Sequence, residues 1–244
     1  MPIEIRSEPL VVAIDGPAGA GKSTVAQQLA RTLGLPYVDS GATYRAAALK
    51  VLEKGIPPAL EDRVVELVAS AALEGVAGAG AFRVLLDGRD VTAEIRSAEV
   101  AQLASVISRF PGVRQTLVTV QRRFGRGRGV VMEGRDIGTV VFPNAALKIY
   151  LTASPLERAR RRMADEQGPG VSLEKVAQEI ERRDQRDSER EFSPLVPAAD
   201  AHLIDSTRLN AADVVERVLQ LLKEKNLIQG GEISGQRKAR ADST

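Results

Sequence analysis

The stretch Gly16-Pro17-Ala18-Gly19-Ala20-Gly21-Lys22-Ser23-Thr24 fits the pattern G-x-x-x-x-G-K-[ST]. Before it, the apolar run Leu10-Val11-Val12-Ala13-Ile14 reads as a buried strand. Behind it, Val25, Leu29, Ala30 and Leu33 recur at helical spacing. The order strand, glycine-rich turn, helix points several backbone N–H groups inward. It also aims the positive end of a helix dipole at the same spot, which suits an anion. The match implies that Gly16 to Thr24 wrap the phosphates of a nucleoside triphosphate. Lys22 would neutralise the β- and γ-phosphates, and the Ser23 hydroxyl would hold Mg²⁺.

Further apolar runs lie near 36–38, at Val130-Val131-Met132, at Leu147-Lys148-Ile149-Tyr150-Leu151 and at His202-Leu203-Ile204, with helical patterns between them. Strands alternating with helices predict an α/β fold, a five-stranded parallel sheet covered by helices on both faces. Ligands of such sheets gather beyond the C-terminal strand ends. Those positions hold Asp39-Ser40, Glu133-Gly134-Arg135-Asp136 and Asp205-Ser206-Thr207, the last equally readable as helix capping ahead of Asn210. His202, in a short strand, reads as a core or edge residue.

Residues 55–128 form a long excursion between the second and third core strands. It opens with helical periodicity (Val64, Val65, Leu67, Val68, Leu73) and passes through the Gly/Ala-rich segment 75–81. Asp87-Gly88 between extended runs signals a hairpin. Two helices follow, Pro111 starting the second. That is a subdomain rather than a loop. One domain is expected over residues 1–228, with a core of 9–54 and 129–228, an insert of 55–128 and a lid of about 155–171. Residues 229–244, polar and aperiodic, are expected to be a disordered tail, in which Arg237, Lys238 and Arg240 could make a weak electrostatic contact.

With 244 residues the chain suits one α/β domain with insertions. Its net charge of only +2 argues against a nucleic-acid surface. It has no cysteine for disulfides or thiolate chemistry and one histidine, too few for a His-rich metal site. Residues 1–9 lack a signal-peptide core, and no run approaches the ~20 apolar residues of a membrane span. The expectation is a cytoplasmic monomer that binds neither nucleic acid nor membrane.

Several clusters carry chemistry. In Asp39-Ser40-Gly41-Ala42-Thr43-Tyr44-Arg45, Ser40 can cap a helix, and Arg45 can clamp a second phosphorylated ligand next to the triphosphate. Arg135-Asp136 could be a structural ion pair, but glycines on both sides imply close approach of backbone or ligand, and ligand binding is the expectation. Residues 156–163 carry Arg158, Arg160, Arg161 and Arg162 on a helix leading into Gly168-Pro169-Gly170, which fits a mobile lid. At least two of these arginines are expected to be solvated surface. An arginine inserted from the lid would stabilise charge on the transferring phosphoryl group. Arg183, Asp187 and Arg190 fall on one helical face, either as an exposed ion-pair ladder or as a row over the acceptor.

Taken together, these motifs resemble bacterial cytidylate kinases, within the nucleoside monophosphate kinases, from about Leu10 to Leu222. The specific matches are Asp39-Ser40-Gly41-Ala42-x-Tyr44-Arg45, Glu133 to Pro143, Arg183-Asp184-x-Arg186-Asp187 and Pro194 to Asp200. The resemblance implies a P-loop kinase core, a monophosphate-binding insert and a lid. It also implies transfer from ATP, with Mg²⁺, to CMP or dCMP. Carried over by position, Ser105, Arg114 and Arg190 contact cytosine, Arg183 and Asp187 the sugar, and Arg45 and Arg135 the acceptor phosphate. Ser40, Tyr44 and Asp136 complete the acceptor site. Lys22, Arg45, Arg135, Arg158 and Arg162 are the expected catalytic set. Ser23 stands where many relatives have glycine and adds a Mg²⁺-capable hydroxyl.

Overall fold

A computed structural model describes residues 2–6, 9–127, 129–165 and 172–230. A short strand β1 (Glu4–Ile5) precedes β2 (Leu10–Asp15), α1 (Lys22–Leu33), β3 (Tyr37–Asp39) and α2 (Ser40–Glu53). The insert supplies α3 (Glu61–Ala69), β4 (Leu73–Gly78), β5 (Ala81–Leu86), β6 (Arg89–Asp90), α4 (Ala98–Ile107) and α5 (Pro111–Phe124). The chain then returns through β7 (Gly129–Gly134), β8 (Leu147–Thr152), α6 (Pro155–Asp165), α7 (Leu173–Ser188), β9 (His202–Asp205), α8 (Ala211–Glu224) and β10 (Ile228–Gln229).

The expected five strands form one parallel sheet in the order β3-β7-β2-β8-β9, flanked by helices. Every residue of β2 and β7 is buried, which is why their sequences are continuous apolar runs rather than alternating ones. Crossovers place all five C-terminal ends on one edge, so Asp15, Asp39 and Glu133 emerge together. His202 lies in the edge strand β9.

Two features of the insert differ from the sequence reading. Leu73 continues no helix; it opens β4, and the Gly/Ala-rich segment pairs antiparallel with β5. Gly75 is required there, because a Cβ would come within 2.6 Å of the Phe82 and Phe124 rings, which stack edge to face. The β5–β6 hairpin turns at Asp87-Gly88, both with positive φ, as a two-residue primed turn demands.

Elsewhere, α2 is capped by Asp39, whose carboxylate accepts from Ala42 N at 3.1 Å; Ser40 is the first helical residue. Helix α8 is capped by Asn210 with Asp213 in a reciprocal pair, so Asp205 to Thr207 are not its cap. Arg190 lies beyond the end of α7 rather than a further turn along it. Gln229, expected in the tail, belongs to β10 and pairs with Glu4 of β1. The rest of the expected tail, with Arg237, Lys238 and Arg240, and the lid tip at 166–171 lie outside the described residues. Among the described residues, no helix is long and apolar enough to cross a membrane.

Candidate active site

The glycine-rich turn is held open by its surroundings. Gly16 has φ 148°, and a Cβ on it would meet the Leu151 carbonyl oxygen at 2.0 Å, so β8 leaves room only for glycine. Gly21 starts α1 in the left-handed region with no side-chain cap, which leaves the first N–H groups of the helix to an external acceptor. Lys22 is buried, and its ammonium donates to the Pro17 carbonyl at 2.7 Å. Burial, reinforced by the charge of Arg135, pulls its pKa down to about 7. An anion in the loop would reverse that pull. Ser23 Oγ donates to Glu133 Oε1 at 2.7 Å, and Tyr37 donates to the same oxygen at 3.3 Å. Burial, with Asp39 close by, pushes the Glu133 carboxyl up.

Beyond this turn opens a cleft of about 520 Å³. Lys22 and Ser23 form one end. Ser40, Tyr44 and Arg45 of α2, Ser105 of α4, Arg114 of α5, and Arg135 and Asp136 after β7 line the walls, with Arg183, Asp187 and Arg190 above. Arg45 is braced by Asp39 at 2.5 Å. Arg114 is paired with the buried Asp136, donates to the Ser108 carbonyl at 3.1 Å, and lies 5.4 Å from the Tyr44 ring centroid. Asp187 accepts from Arg135 Nε at 2.8 Å and from Arg190, which also donates to Ser108 Oγ. Burial pushes the Asp187 carboxyl up, but Arg135, Arg190 and Arg183 outweigh it and hold it below the usual carboxylate range. Arg183 is drawn down to about 10 by burial and by Arg135.

Among the described residues, six buried side-chain polar atoms lack a hydrogen-bond partner. Five of them belong to residues lining this cleft: Tyr44 Oη, Ser105 Oγ, Arg114 Nε, Arg183 Nε and Arg190 Nε. Buried polar atoms in native proteins are nearly always satisfied, so such a cluster suits a polar ligand or ordered water. The Thr139 hydroxyl, the sixth, lies outside it.

The four arginines of α6 separate. Arg160 is exposed, as a solvated position should be. Arg161, half-buried, donates to Glu157 Oε1, to Ser206 and to the Ala20 carbonyl. Arg162 lines the cleft. Arg158 is buried, donating to the Ala153 and Ala18 carbonyls and to Asp184 of α7; Asp184 also accepts from Ala18 N at 3.1 Å. Apolar Ala159, Val176 and Ile180 pack with Ala18 beside it, so α6 and α7 rest directly on the glycine-rich turn.

A cytidylate kinase family model matches residues 12–224 of the chain. The chain belongs to the cytidylate kinase family. It is 49% identical over 217 residues to the cytidylate kinase of Caldanaerobacter subterraneus subsp. tengcongensis, covering 87% of this chain and 94% of that one. It is 50% identical over 211 residues to the cytidylate kinase of Pelotomaculum thermopropionicum (85% and 93%), and 46% identical to that of Salmonella choleraesuis (88% and 96%). It is therefore an ATP-dependent nucleoside monophosphate kinase, and the cleft is the candidate seat of the monophosphate. Three groups at or near this site were missed from sequence: Asp15, Arg96, which lines the cleft, and Glu133 as a partner of Ser23; Asp184 stood in a quoted motif without a role. Asp15 and Glu133 were signalled by standing at the ends of apolar strands; Arg96, in the insert, carried no local signal.

Proposed function

We propose that the enzyme transfers the γ-phosphoryl group of ATP to CMP or dCMP, giving ADP and CDP or dCDP, in pyrimidine nucleotide metabolism. The observation that carries this reading is the cluster of unpartnered buried donors and hydroxyls in the cleft facing Lys22. Arg114, Arg190 and Ser105 suit the cytosine ring, whose O2 and N3 accept and whose N4 amino group donates. Asp187, pinned by two arginines, suits the ribose hydroxyls together with Arg183. Arg45 and Arg135, with Ser40, suit the acceptor phosphate, while Tyr44 and Asp136 brace Arg114.

The acceptor phosphate loses its second proton near pH 6, so it is a dianionic nucleophile at neutral pH without a general base. The protein's task is then positioning and charge neutralisation. Lys22 releases the Pro17 carbonyl for the β- and γ-phosphates, and Arg135 and Arg162 spread the charge developing on the transferred group. Ser23 and Glu133, a hydroxyl and a carboxylate joined at 2.7 Å, are the hard oxygen pair that Mg²⁺ favours. When bound, the ion would neutralise phosphate charge. A lid over about 155–171 would exclude water.

The test is ATP consumption with Mg²⁺, offering CMP, dCMP, UMP, AMP, dTMP and shikimate in turn. Strong turnover of CMP and dCMP with weak turnover of UMP is expected. Turnover of another acceptor would overturn the cytosine assignments, and none at all despite ATP binding would favour a nucleotide switch.

A further inference from the structure

Asp15 is the last residue of β2 and the immediate neighbour of Gly16, and both of its carboxylate oxygens are taken by backbone amides of the chain that follows β7. Its Oδ1 accepts from Ile137 N at 2.8 Å, and its Oδ2 accepts from Gly138 N at 2.7 Å. Those amides open the π-helical turn Ile137–Val141, directly after Arg135 and Asp136. Strands β2 and β7 are already paired, their ladder running out at Asp15 opposite Gly134. The carboxylate therefore continues the join past the last ladder position, by side chain instead of backbone. It is 5% exposed and is not part of the cleft wall.

We propose that Asp15 is a positioning residue that sets the spacing between the donor and acceptor halves of the active site. This rests on the acceptor assignments above. One covalent step from Asp15 leads into the loop that takes ATP. One residue before the gripped amides lies Asp136, which holds Arg114, and before it Arg135. The two half-sites are thereby fixed to one rigid group. A single hydroxyl or amide oxygen could satisfy one N–H; a carboxylate holds both, with charge-assisted bonds that are shorter and stiffer. The fold keeps it there although burial opposes its charge and raises its pKa to about 6. In-line transfer is steeply sensitive to the separation of attacking oxygen and phosphorus; a misplacement of about 1 Å can cost on the order of a hundredfold.

The experiment uses the full-length Asp15→Asn and Asp15→Glu variants. Asparagine keeps the size but offers only one acceptor; glutamate keeps the charge but displaces it by a methylene. Both are expected to lower kcat about tenfold or more, with KM for ATP and for CMP changed less than about twofold. The decisive probe is a bisubstrate analogue, adenosine and cytidine joined through five phosphates, titrated by calorimetry beside ATP alone and CMP alone. Its affinity is expected to fall about tenfold or more while the separate nucleotides bind as to the wild type, because only the analogue senses the distance between sites. Unchanged kcat and analogue affinity in a folded variant would overturn the proposal. So would equal losses for ATP, CMP and the analogue together with a lowered Tm, which is what a merely structural carboxylate predicts. If one variant fails to fold, the other decides; failure of both to fold counts as the structural outcome. A wild type that binds ATP but not CMP would instead overturn the acceptor assignments themselves.

Discussion

Replacing Arg158 and Arg162 by alanine, one at a time, separates a lid anchor from a lid catalyst. Arg158 has three acceptors and pairs with Asp184 at side-chain exposures of 10% and 16%. Removing one partner of a buried ion pair costs roughly 3–5 kcal/mol. The lower end applies here, because Asp184 keeps the Ala18 amide and touches some solvent. About 3 kcal/mol in a domain of this size lowers Tm by roughly 6–12 °C. Arg162 is exposed at the cleft rim, where even a lost ion pair costs about 1 kcal/mol or less, so Tm should fall by no more than about 4 °C. Its loss should instead cut kcat by about a hundredfold, the scale of removing one electrostatic contact to the transition state. Differential scanning calorimetry and steady-state CMP phosphorylation, both on purified variants, provide the readout. If Arg158→Ala keeps the wild-type Tm but loses kcat, while Arg162→Ala keeps kcat, the division of roles drawn from the hydrogen bonds is wrong.

Other outcomes follow from the same geometry. Lys22→Ala and Arg135→Ala should abolish turnover with unchanged circular dichroism; residual activity near wild type would remove either from the catalytic set. Asp187→Ala should weaken discrimination between ribose and deoxyribose acceptors more than between cytosine and uracil, and equal losses across CMP, dCMP and UMP would contradict its sugar role. Stability should respond to acid in two opposed ways. Asp187, held below the usual range by its arginines, contributes stability that is present above its unfolded pKa near 3.9 and is lost as pH falls through its lower folded value. Asp15 has a folded pKa raised from 3.8 to about 6, so between these values the folded state binds a proton that the unfolded chain does not. Its charge therefore costs about 3 kcal/mol as pH rises through that window. The Tm of the wild type relative to Asp15→Asn should fall between pH 4 and 7, and a pH-independent difference would refute the assignment.

The legible parts of this molecule are those whose cause lies within a few residues. A buried apolar run followed by closely spaced glycines, Lys22 and a helical pattern could be read as strand, anion loop and helix, because each feature depends on local backbone conformation. The Asp87-Gly88 turn was readable for the same reason. Leu73 was not: β4 exists because it pairs with β5 and because Gly75 lets two phenylalanine rings approach, and both causes lie outside the segment. Arg183, Asp187 and Arg190 could be grouped by helical spacing, yet α7 ends before Arg190, and it is Asp187 and Ser108, 82 residues away, that bring its guanidinium back to the cleft.

By itself, then, the sequence determined the phosphate loop, the alternation that makes a parallel sheet, and which residue types were available for an acceptor nucleotide. Tertiary structure alone decided the strand order, the fate of each arginine in α6, and the grip of Asp15 on amides more than 120 residues away. The physical reason is that backbone propensity acts over one turn or one strand. A buried charge is settled only by the partners that the completed fold brings to it.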